Sequence, residues 1–392
     1  MSIGKTVVSI RGEDWLINGE LTHAGREFRG HRIEGLLLNS RMANGVFDDA
    51  NELTRCLWAY PDTGEWDPER NTDELIAQLP AYRAHGLDAI CVNIQGASPL
   101  GYYRSENRDE LIRRIREHHP DATEDEIWAG LPGVESQPWN SGGLSRVGFL
   151  KPRFARRLER VIEACDALGM VVVLGLFYFG QDERIDDENS VRRAVDDACK
   201  WLQSTGFTNV VVEINNEADV QRYEHEILTP PKVYELVSHA ASRRVLAGTS
   251  FARLMLPTGP VVDRSDFILL HGNGIHNPAD LAKRIEAVRA MPEYRGQPVV
   301  INEDDHFDFD KPENNFMAAI SRHAGWGYFD PGPGAGGSSA YGDYVEGYQN
   351  PPVNWSINSP RKRAFFDFLA EVTGSSPKSL PPWGKPRKGG LP

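Results

Sequence analysis

Residues 210–217 read VVVEINNE, an apolar run that ends in two amides and a carboxylate. Residues 298–306 read PVVINEDDH and repeat that form, with an Asn-Glu pair directly after the apolar residues. β-Branched residues in consecutive positions are typical of a strand that is covered on both faces, as in a parallel sheet. Because amides and carboxylates are rarely buried without partners, we expect these two strand ends to reach a functional site.

Similar short apolar segments alternate with helical patterns along much of the chain. Helical spacing is clearest over residues 153–168, 190–205, 278–290 and 361–372. This alternation predicts an α/β protein with a parallel sheet, and eight strands can close into a (β/α)8 TIM barrel. The eight strand candidates are Gly35–Asn39, Ala89–Ile94, Val171–Leu176, Val210–Ile214, Leu254–Pro257, Phe267–Leu270, Val299–Ile301 and Gly325–Phe329.

The N-terminal segment, residues 1–30, has the pattern of a hairpin. Two short strand patterns flank Asn18-Gly19, the pair that a type I′ turn favours. We expect this hairpin to plug the bottom of the barrel, so that residues 1–373 form a single TIM-barrel catalytic domain. The tail over residues 374–392 is rich in Pro, Gly and Lys and is expected to be flexible.

Two connections are longer than a barrel requires. Residues 96–150 form an insertion after the second strand, and residues 331–357 form a loop after the eighth strand. Both are expected to emerge at the face where the strands end, which is where barrel enzymes build their active sites. Loops of this length predict a pocket for a short substrate rather than an open groove.

The charge of the chain restricts its partners. Its 392 residues are 40% hydrophobic and 25% charged, with a formal net charge of −13. A surface this acidic repels phosphate backbones and anionic lipids, which argues against nucleic acid and membrane partners. A neutral carbohydrate substrate suits it better.

The cysteines and the N-terminus predict a cytoplasmic protein. Four cysteines are scattered without metal-binding spacing, which favours free thiols in a reducing compartment. The first ten residues lack the apolar core of a signal peptide, and no segment reaches about 18 consecutive apolar residues. The sequence does not indicate an oligomeric state.

Glu217 and Glu303 are the candidate catalytic residues, because each ends a strand of the predicted barrel. Cleavage of a glycosidic bond passes through an oxocarbenium-like transition state, which needs a negative charge under the anomeric carbon and a proton for the leaving oxygen. Two carboxyl groups about 5–5.5 Å apart meet both needs in a retaining enzyme. The alternative is that both glutamates form buried salt bridges with arginines inside the barrel.

The sequence Glu213-Ile214-Asn215-Asn216-Glu217 resembles the Glu-x-x-Asn-Glu strand end of clan A glycoside hydrolases, especially family 5 and its cellulase-like relatives. The resemblance covers roughly residues 30 to 330. It implies that Glu217 at the fourth strand is the acid/base and that Glu303 at the seventh is the nucleophile. It also implies that His271 contacts substrate and that Trp326 is a sugar-stacking platform. For His271 the alternative is a core histidine.

Three positions depart from the family 5 pattern, so the chain resembles a divergent member of the clan. Ala218 stands where the family has Pro, and Asn273 stands where a Tyr is expected. The third strand, which ends at Tyr178, lacks the family's His. Substrate specificity is therefore not carried over from the family.

Asn216 is expected to hydrogen-bond the 2-hydroxyl of the sugar beside Glu217. In a regular strand, consecutive side chains point to opposite faces, so both can reach a sugar only if the strand end is irregular. Glu213 is expected to be a buried carboxylate that tunes the pKa of Glu217.

Further candidates lie at the other strand ends. Asn39, Arg41 and Asn93 are expected to contact sugar hydroxyls, and Tyr178 is a second candidate for stacking on a sugar ring. Asp305 and His306 follow Glu303. They are expected to hold the Glu303 side chain in position without contacting the sugar.

These features predict a retaining glycoside hydrolase that acts on a β-linked substrate and needs no cofactor or metal. One alternative is a metal-dependent hydrolase on the same barrel, using His271, His276, Asp305 and His306. A first-strand metal-binding pattern is absent from the sequence, which counts against it. The other alternative is a catalytically silent sugar-binding barrel.

Overall fold

The computed structural model describes residues 4–96, 108–131, 137–332 and 346–377. Its N-terminal part is a three-stranded antiparallel sheet of β1 (Val8–Arg11), β2 (Asp14–Ile17) and β3 (Glu20–Leu21). Asn18 and Gly19 join β2 to β3 with φ values of 55° and 80°, the two positive values that a type I′ turn requires. The predicted hairpin is therefore confirmed. A second small hairpin follows, formed by β4 (Glu27–Phe28) and β5 (His31–Arg32).

The apolar runs of the sequence form a barrel of parallel strands. Around the barrel the strand order is β10-β9-β8-β7-β6-β14-β13-β12-β11, where β10 and β11 are two halves of one broken strand. The ring closes through this broken fifth strand, and helices surround it, so the predicted (β/α)8 TIM barrel is confirmed. The strands are β6 (Asn39–Arg41), β7 (Ala89–Asn93), β8 (Val171–Phe177), β9 (Val210–Asn215), β10 (Ala247–Gly248), β11 (Ser250–Phe251), β12 (Ile268–His271), β13 (Val299–Asp304) and β14 (Gly325–Tyr328).

All four predicted helices are present, with ends shifted by at most two residues. Side-chain caps and glycines set several ends: the Asp187 carboxylate accepts from the Ser190 N–H at one start, and Gly206 and Gly374 end helices in the left-handed conformation. No helix of the described residues is long and apolar enough to cross a membrane. The helices are α1 (Pro68–Ala84), α2 (Arg108–His118), α3 (Glu124–Ile127), α4 (Pro152–Ala167), α5 (Glu188–Thr205), α6 (Tyr234–Ser242), α7 (Gly259–Arg264), α8 (Pro278–Arg289), α9 (Asn315–Ser321) and α10 (Pro360–Thr373).

Two strand predictions are wrong in position. The predicted fifth strand, Leu254–Pro257, is a loop in which Leu254 is 66% exposed, and the strand instead occupies β10 and β11 just before it. The first strand begins at Asn39 rather than at Gly35, because Gly35 has a φ of 84° and belongs to a turn.

The lower half of the barrel interior is apolar and is closed by the N-terminal hairpin. Trp15 is 1% exposed and packs against Phe267 with ring centroids 5.2 Å apart. It belongs to a buried cluster with inward-facing strand residues such as Val173, Val211 and Leu269. The hairpin thus plugs the bottom, as predicted, and leaves the polar residues of the barrel at the opposite end.

Both long connections are described only in part. Residues 97–107 and 132–136 of the insertion, and residues 333–345 of the last loop, lie outside the described residues. So do residues 378–392, which are most of the predicted flexible tail.

Candidate active site

The strand β9 ends at Asn215, and the chain turns sharply at Glu217. Glu217 has a φ of 50°, in the left-handed region that non-glycine residues rarely adopt. The left-handed conformation of Glu217 is the irregular strand end that was predicted from the adjacent positions of Asn216 and Glu217. Both side chains are buried, Asn216 completely and Glu217 with 6% of its surface exposed.

The strand β13 carries Glu303 within its last residues. The pairing of β12 with β13 shifts register between Leu270 and His271, so that His271 lies beside Glu303. The pairing of β13 with β14 is also irregular between Ile301 and Asp304. Such irregularities redirect side chains at the rim of a barrel, and Glu303 is left 2% exposed.

His271 lies between the two glutamates. Its Nδ1 atom is 3.0 Å from Oε1 of Glu217 and 3.7 Å from Oε2 of Glu303. One carboxylate oxygen of each glutamate and a ring nitrogen of His271 all lie within 4.8 Å of one another. The structure therefore brings together the two carboxylates that the sequence singled out.

Arg41 contacts three side chains of the site, which belong to Glu303, Glu213 and Asn216. Its Nε is 3.0 Å from Oε2 of Glu303, and its Nη1 donates to Oε2 of Glu213 over 2.7 Å. Its Nη2 donates to Oδ1 of Asn216 over 2.5 Å. Arg41 is 1% exposed, so its guanidinium is a buried cation shared by two carboxylates and an amide.

Burial and charge act in opposite directions on these carboxyl groups. Burial raises the pKa of Glu303 above its ordinary value, although His271 and Arg41 oppose the shift. Burial also acts to raise the pKa of Glu213, but Arg41, His271 and a hydrogen bond from Ser250 outweigh it, so that pKa is lowered. The pKa of His271 is raised, because Glu303 and Glu217 outweigh the effect of burial. Glu213 is thus held as an anion against Arg41.

Asn273 and Asn302 also contact these carboxylates, and sequence reasoning did not place them in the site. The Asn273 Nδ2 donates to Oε1 of Glu303 over 2.7 Å, and the Asn302 Nδ2 donates to Oε1 of Glu213 over 3.4 Å. Asn302 directly precedes Glu303, as Asn216 precedes Glu217, and that repetition was a signal that could have identified it.

Asn39 and Asn93 lie inside the barrel with polar atoms that have no partner. Asn39 Nδ2 and both terminal atoms of the Asn93 amide are buried without a hydrogen bond. An unpaired buried polar group costs roughly 1–3 kcal/mol, so these atoms are suited to bind water or substrate. Two glycines leave room for these amide side chains. A Cβ atom at Gly175 would overlap Asn93, and a Cβ atom at Gly327 would overlap Asn39.

Both predicted aromatic platforms are buried. Trp326 is 1% exposed, its ring stacks on Phe316 at 4.9 Å, and its indole N–H donates to Asp304. Gly327 faces the barrel interior, so the preceding Trp326 points outward to the helices, and its prediction as a platform is wrong. Tyr178 is 2% exposed and packs on Phe179 with ring centroids 4.5 Å apart, and its stacking on a sugar stays a prediction.

The residues after Glu303 form a separate polar group. The His306 Nδ1 is 2.6 Å from Oδ1 of the buried Asp304, and its Nε2 is 3.1 Å from Nδ1 of His276. Asp305 lies 3.4 Å from His306 and accepts from the Gly274 N–H over 3.4 Å. Asp304, which the sequence analysis passed over, is the centre of this group, because Trp326 and Asn315 also donate to it.

Two groups of described residues have the spacing of metal ligands. One consists of Glu217, His271 and Glu303, and the other of Asp304, Asp305 and His306. Of the four residues of the metal-dependent alternative, His271 lies in the first group, Asp305 and His306 lie in the second, and His276 belongs to neither. In the first group, the guanidinium of Arg41 already lies against Glu303, which disfavours a second cation at the same carboxylate.

The fold is similar to that of solved glycoside hydrolases. The chain shares 7% identity with an endo-1,4-β-mannanase from Rhizomucor miehei, with a TM-score of 0.52 and coverage of 94% of this chain and 100% of that one. A β-mannanase from Thermomonospora fusca in complex with mannotriose gives 13% identity, a TM-score of 0.49, and coverage of 95% and 97%. A β-galacturonidase from Eisenbergiella tayi bound to galacturonate gives 11% identity and a TM-score of 0.48, with coverage of 95% of this chain and 55% of that one.

At 7% identity, the similarity to the Rhizomucor miehei mannanase shows the fold alone. The chain spans little more than half the length of the galacturonidase. No protein-family model matches the sequence, and no curated protein sequence matches it.

Proposed function

We propose that the protein is a retaining glycoside hydrolase that cleaves a β-linked glycoside or short oligosaccharide. The observation that carries the proposal is the pair Glu217 and Glu303, whose nearest oxygens lie within 4.8 Å across His271. Retaining enzymes place their two carboxyl groups about 5–5.5 Å apart, whereas inverting enzymes need about 6.5–9.5 Å to admit a water. The short separation favours a direct attack by one carboxylate.

The contacts of the two glutamates support different roles. Both oxygens of Glu303 face donors, Arg41 on one side and Asn273 on the other, which suits an anion that acts as the nucleophile. Glu217 contacts His271 and has no arginine partner among the described residues, which suits a group that gives up and takes back a proton. The resemblance to clan A assigns the same roles.

The proposed reaction has two steps. In the first, a Glu303 oxygen bonds to the anomeric carbon as the glycosidic bond breaks, and the Glu217 carboxyl gives its proton to the leaving oxygen. In the second, Glu217 takes a proton from a water molecule, whose oxygen displaces Glu303 and releases the sugar. Asn216 retains an unpaired buried Nδ2, the atom that would donate to the sugar 2-hydroxyl.

The test is hydrolysis of aryl α- and β-glycosides by wild type, Glu303→Ala and Glu217→Ala. We expect turnover of one β-glycoside that Glu303→Ala abolishes and that azide restores with formation of the α-glycosyl azide. With Glu217→Ala and a good leaving group, azide should give the β-glycosyl azide. The matched control is Glu52→Ala, because the Glu52 side chain is 83% exposed and distant in sequence from both strands.

Turnover that survives Glu303→Ala unchanged would reject Glu303 as the nucleophile. A folded wild type that binds sugars but turns over none of them would favour the silent sugar-binding barrel. The spacing of Asp304, Asp305 and His306 keeps a metal-dependent hydrolase as a second candidate. Loss of activity in a chelator, with recovery on adding a divalent metal, would favour that candidate instead.

A further inference from the structure

The fifth barrel strand changes partner at Thr249. Before it, β10 pairs with β9 through Ala247 and Gly248, and after it, β11 pairs with β12 through Ser250 and Phe251. The end of β9 therefore lacks a continuous neighbouring strand on this side. Backbone groups buried in such a gap need other hydrogen-bond partners.

Two hydroxyl-bearing residues at the break supply these partners. The Thr249 Oγ1 donates to the Asn215 carbonyl over 3.0 Å, and the Ser250 Oγ accepts from the Glu217 N–H over 2.8 Å. The Ser250 carbonyl accepts from the Ala218 N–H over 2.8 Å. Ser250 is completely buried, so water does not compete for these contacts.

Ser250 therefore holds the backbone on both sides of the Glu217 carbonyl while Glu217 is in the left-handed conformation. A glutamate with a φ of 50° is strained, and such a conformation persists only where its surroundings fix it. Without the hydroxyl, the Glu217 N–H would be buried beside an apolar side chain and unpaired. The backbone would then relax and move the carboxylate away from His271.

We propose that Ser250 is a positioning residue for the acid/base, acting through the backbone of Glu217. The inference rests on the proposed function, because it assigns Ser250 to the proton-transfer steps of that reaction. Ser250 does not touch the sugar in this role. Ser250 also hydrogen-bonds Glu213, but its main contribution should appear where the reaction needs a proton from Glu217.

The test compares two aryl β-glycosides of one sugar, with phenol and 2,4-dinitrophenol as leaving groups. Phenolate needs a proton to depart, whereas dinitrophenolate does not. For Ser250→Ala we expect kcat/KM to fall about 10- to 100-fold on the phenyl glycoside and to change less than about 2-fold on the dinitrophenyl glycoside. Ser250→Cys, which keeps nearly the same size and weakens the acceptor, should show the same selectivity even if Ser250→Ala folds poorly.

Two controls separate positioning from general damage. Ser40→Ala removes another buried hydroxyl from a barrel strand, one that donates to the Tyr328 carbonyl, and should leave both substrates unaffected. In a Glu217→Ala background, Ser250→Ala should cause a much smaller loss than in wild type, because only its hydrogen bond to Glu213 remains to be lost.

An equal fall on both substrates, or an additive loss in the double variant, would overturn the positioning role and leave the proposed function standing. Absence of Glu303-dependent hydrolysis in wild type would overturn both. The two failures are thus distinguishable in one set of measurements.

Discussion

The guanidinium Nε of Arg41 lies 3.0 Å from Oε2 of Glu303, deep inside the barrel and away from solvent. The same guanidinium reaches Glu213 and Asn216, so a single cation from the first strand holds side chains of the fourth and seventh. The position of the proposed nucleophile therefore depends on a residue 262 positions earlier in the chain. Arg41 was expected to contact sugar hydroxyls, and the contacts found for it are with carboxylates and an amide.

Replacing Arg41 with Met should destabilise the fold by about 3–5 kcal/mol, because two buried carboxylates lose their counter-ion. Arg41→Lys should recover only part of this, since one ammonium group cannot reach Glu213, Asn216 and Glu303 together. Urea unfolding at pH 7 measures the loss. A change below about 1 kcal/mol for Arg41→Met would contradict the role of this cation.

The cost of Arg41→Met should also depend on pH. The pKa of Glu213 is lowered in the folded protein, so its contribution to stability is present above the ordinary carboxyl pKa of about 4.3 and is lost as the pH falls through the lowered value. The difference in unfolding free energy between wild type and Arg41→Met should therefore stay nearly constant from pH 7 to pH 5 and shrink as the pH falls below about 4.3. A difference that stays constant below about pH 4.3 as well would contradict the lowered pKa.

The acid limb of the pH–rate profile should lie above the ordinary carboxyl pKa of about 4.3. Burial raises the pKa of Glu303, and the nucleophile must be ionised, so activity is lost as the pH falls through that raised value. The measurement is kcat/KM against pH with the dinitrophenyl glycoside, which removes the need for the acid. A limb at or below 4.3 would contradict the raised pKa.

Asn273→Ala should move this acid limb to higher pH and lower kcat about 10- to 100-fold, because Glu303 loses a donor to its charged form. Asn273→Asp should move the limb further, since an acceptor of like charge then replaces the donor. The two profiles, measured beside wild type, check the prediction. An unmoved limb in both variants would mean that Asn273 does not affect the ionisation of Glu303.

The sequence was sufficient to predict the barrel and its two carboxylates because both depend on local patterns. Each long strand appears in the sequence as a run of consecutive apolar residues. Glu217 and Glu303 lie at the ends of the two clearest of these runs. The N-terminal hairpin followed from Asn18-Gly19 for the same reason, since turn geometry is set by two adjacent residues.

The fifth strand and the role of Arg41 were not predictable in this way. Residues 247–251 read AGTSF, a short stretch of small and polar residues without a strand pattern, whereas the apolar residues at 254–257 lie on the rim. The contacts of Arg41 join residues 172 and 175 positions apart, and no local pattern encodes them. The outward direction of Trp326 could have been predicted, because side chains alternate along a strand and Trp326 lies between Gly325 and Gly327.

Trp15→Ala should destabilise the protein by about 3–5 kcal/mol, because it empties the plug at the bottom of the barrel. The Trp15 Nε1 has no hydrogen-bond partner, so Trp15→Phe should cost clearly less. Activity per folded molecule should stay unchanged, since the plug lies at the end opposite the site. Denaturant unfolding of these variants, with the 46% exposed Val7 changed to Ala as control, checks the prediction.

Gly175→Ala should reproduce the effect of Asn93→Ala on substrate binding. A Cβ at Gly175 would lie 2.7 Å from Cγ of Asn93 and overlap its Oδ1, and only that side chain stands in the way, so the amide would rotate aside. If Asn93 donates to a sugar hydroxyl, as its unpaired buried amide suggests, each change removes one neutral hydrogen bond and should raise KM about 2- to 10-fold.

The double variant Gly175→Ala with Asn93→Ala should be no worse than Asn93→Ala alone, because both changes act on one contact. Gly327→Ala gives the contrast: its Cβ would lie 2.8 Å from backbone atoms of Asn302, which cannot rotate away, so that variant should lose stability as well as binding. The measurements are KM on the aryl glycoside and urea unfolding for all four variants. Additive losses from Gly175→Ala and Asn93→Ala would show that Gly175 acts on the barrel wall rather than through Asn93.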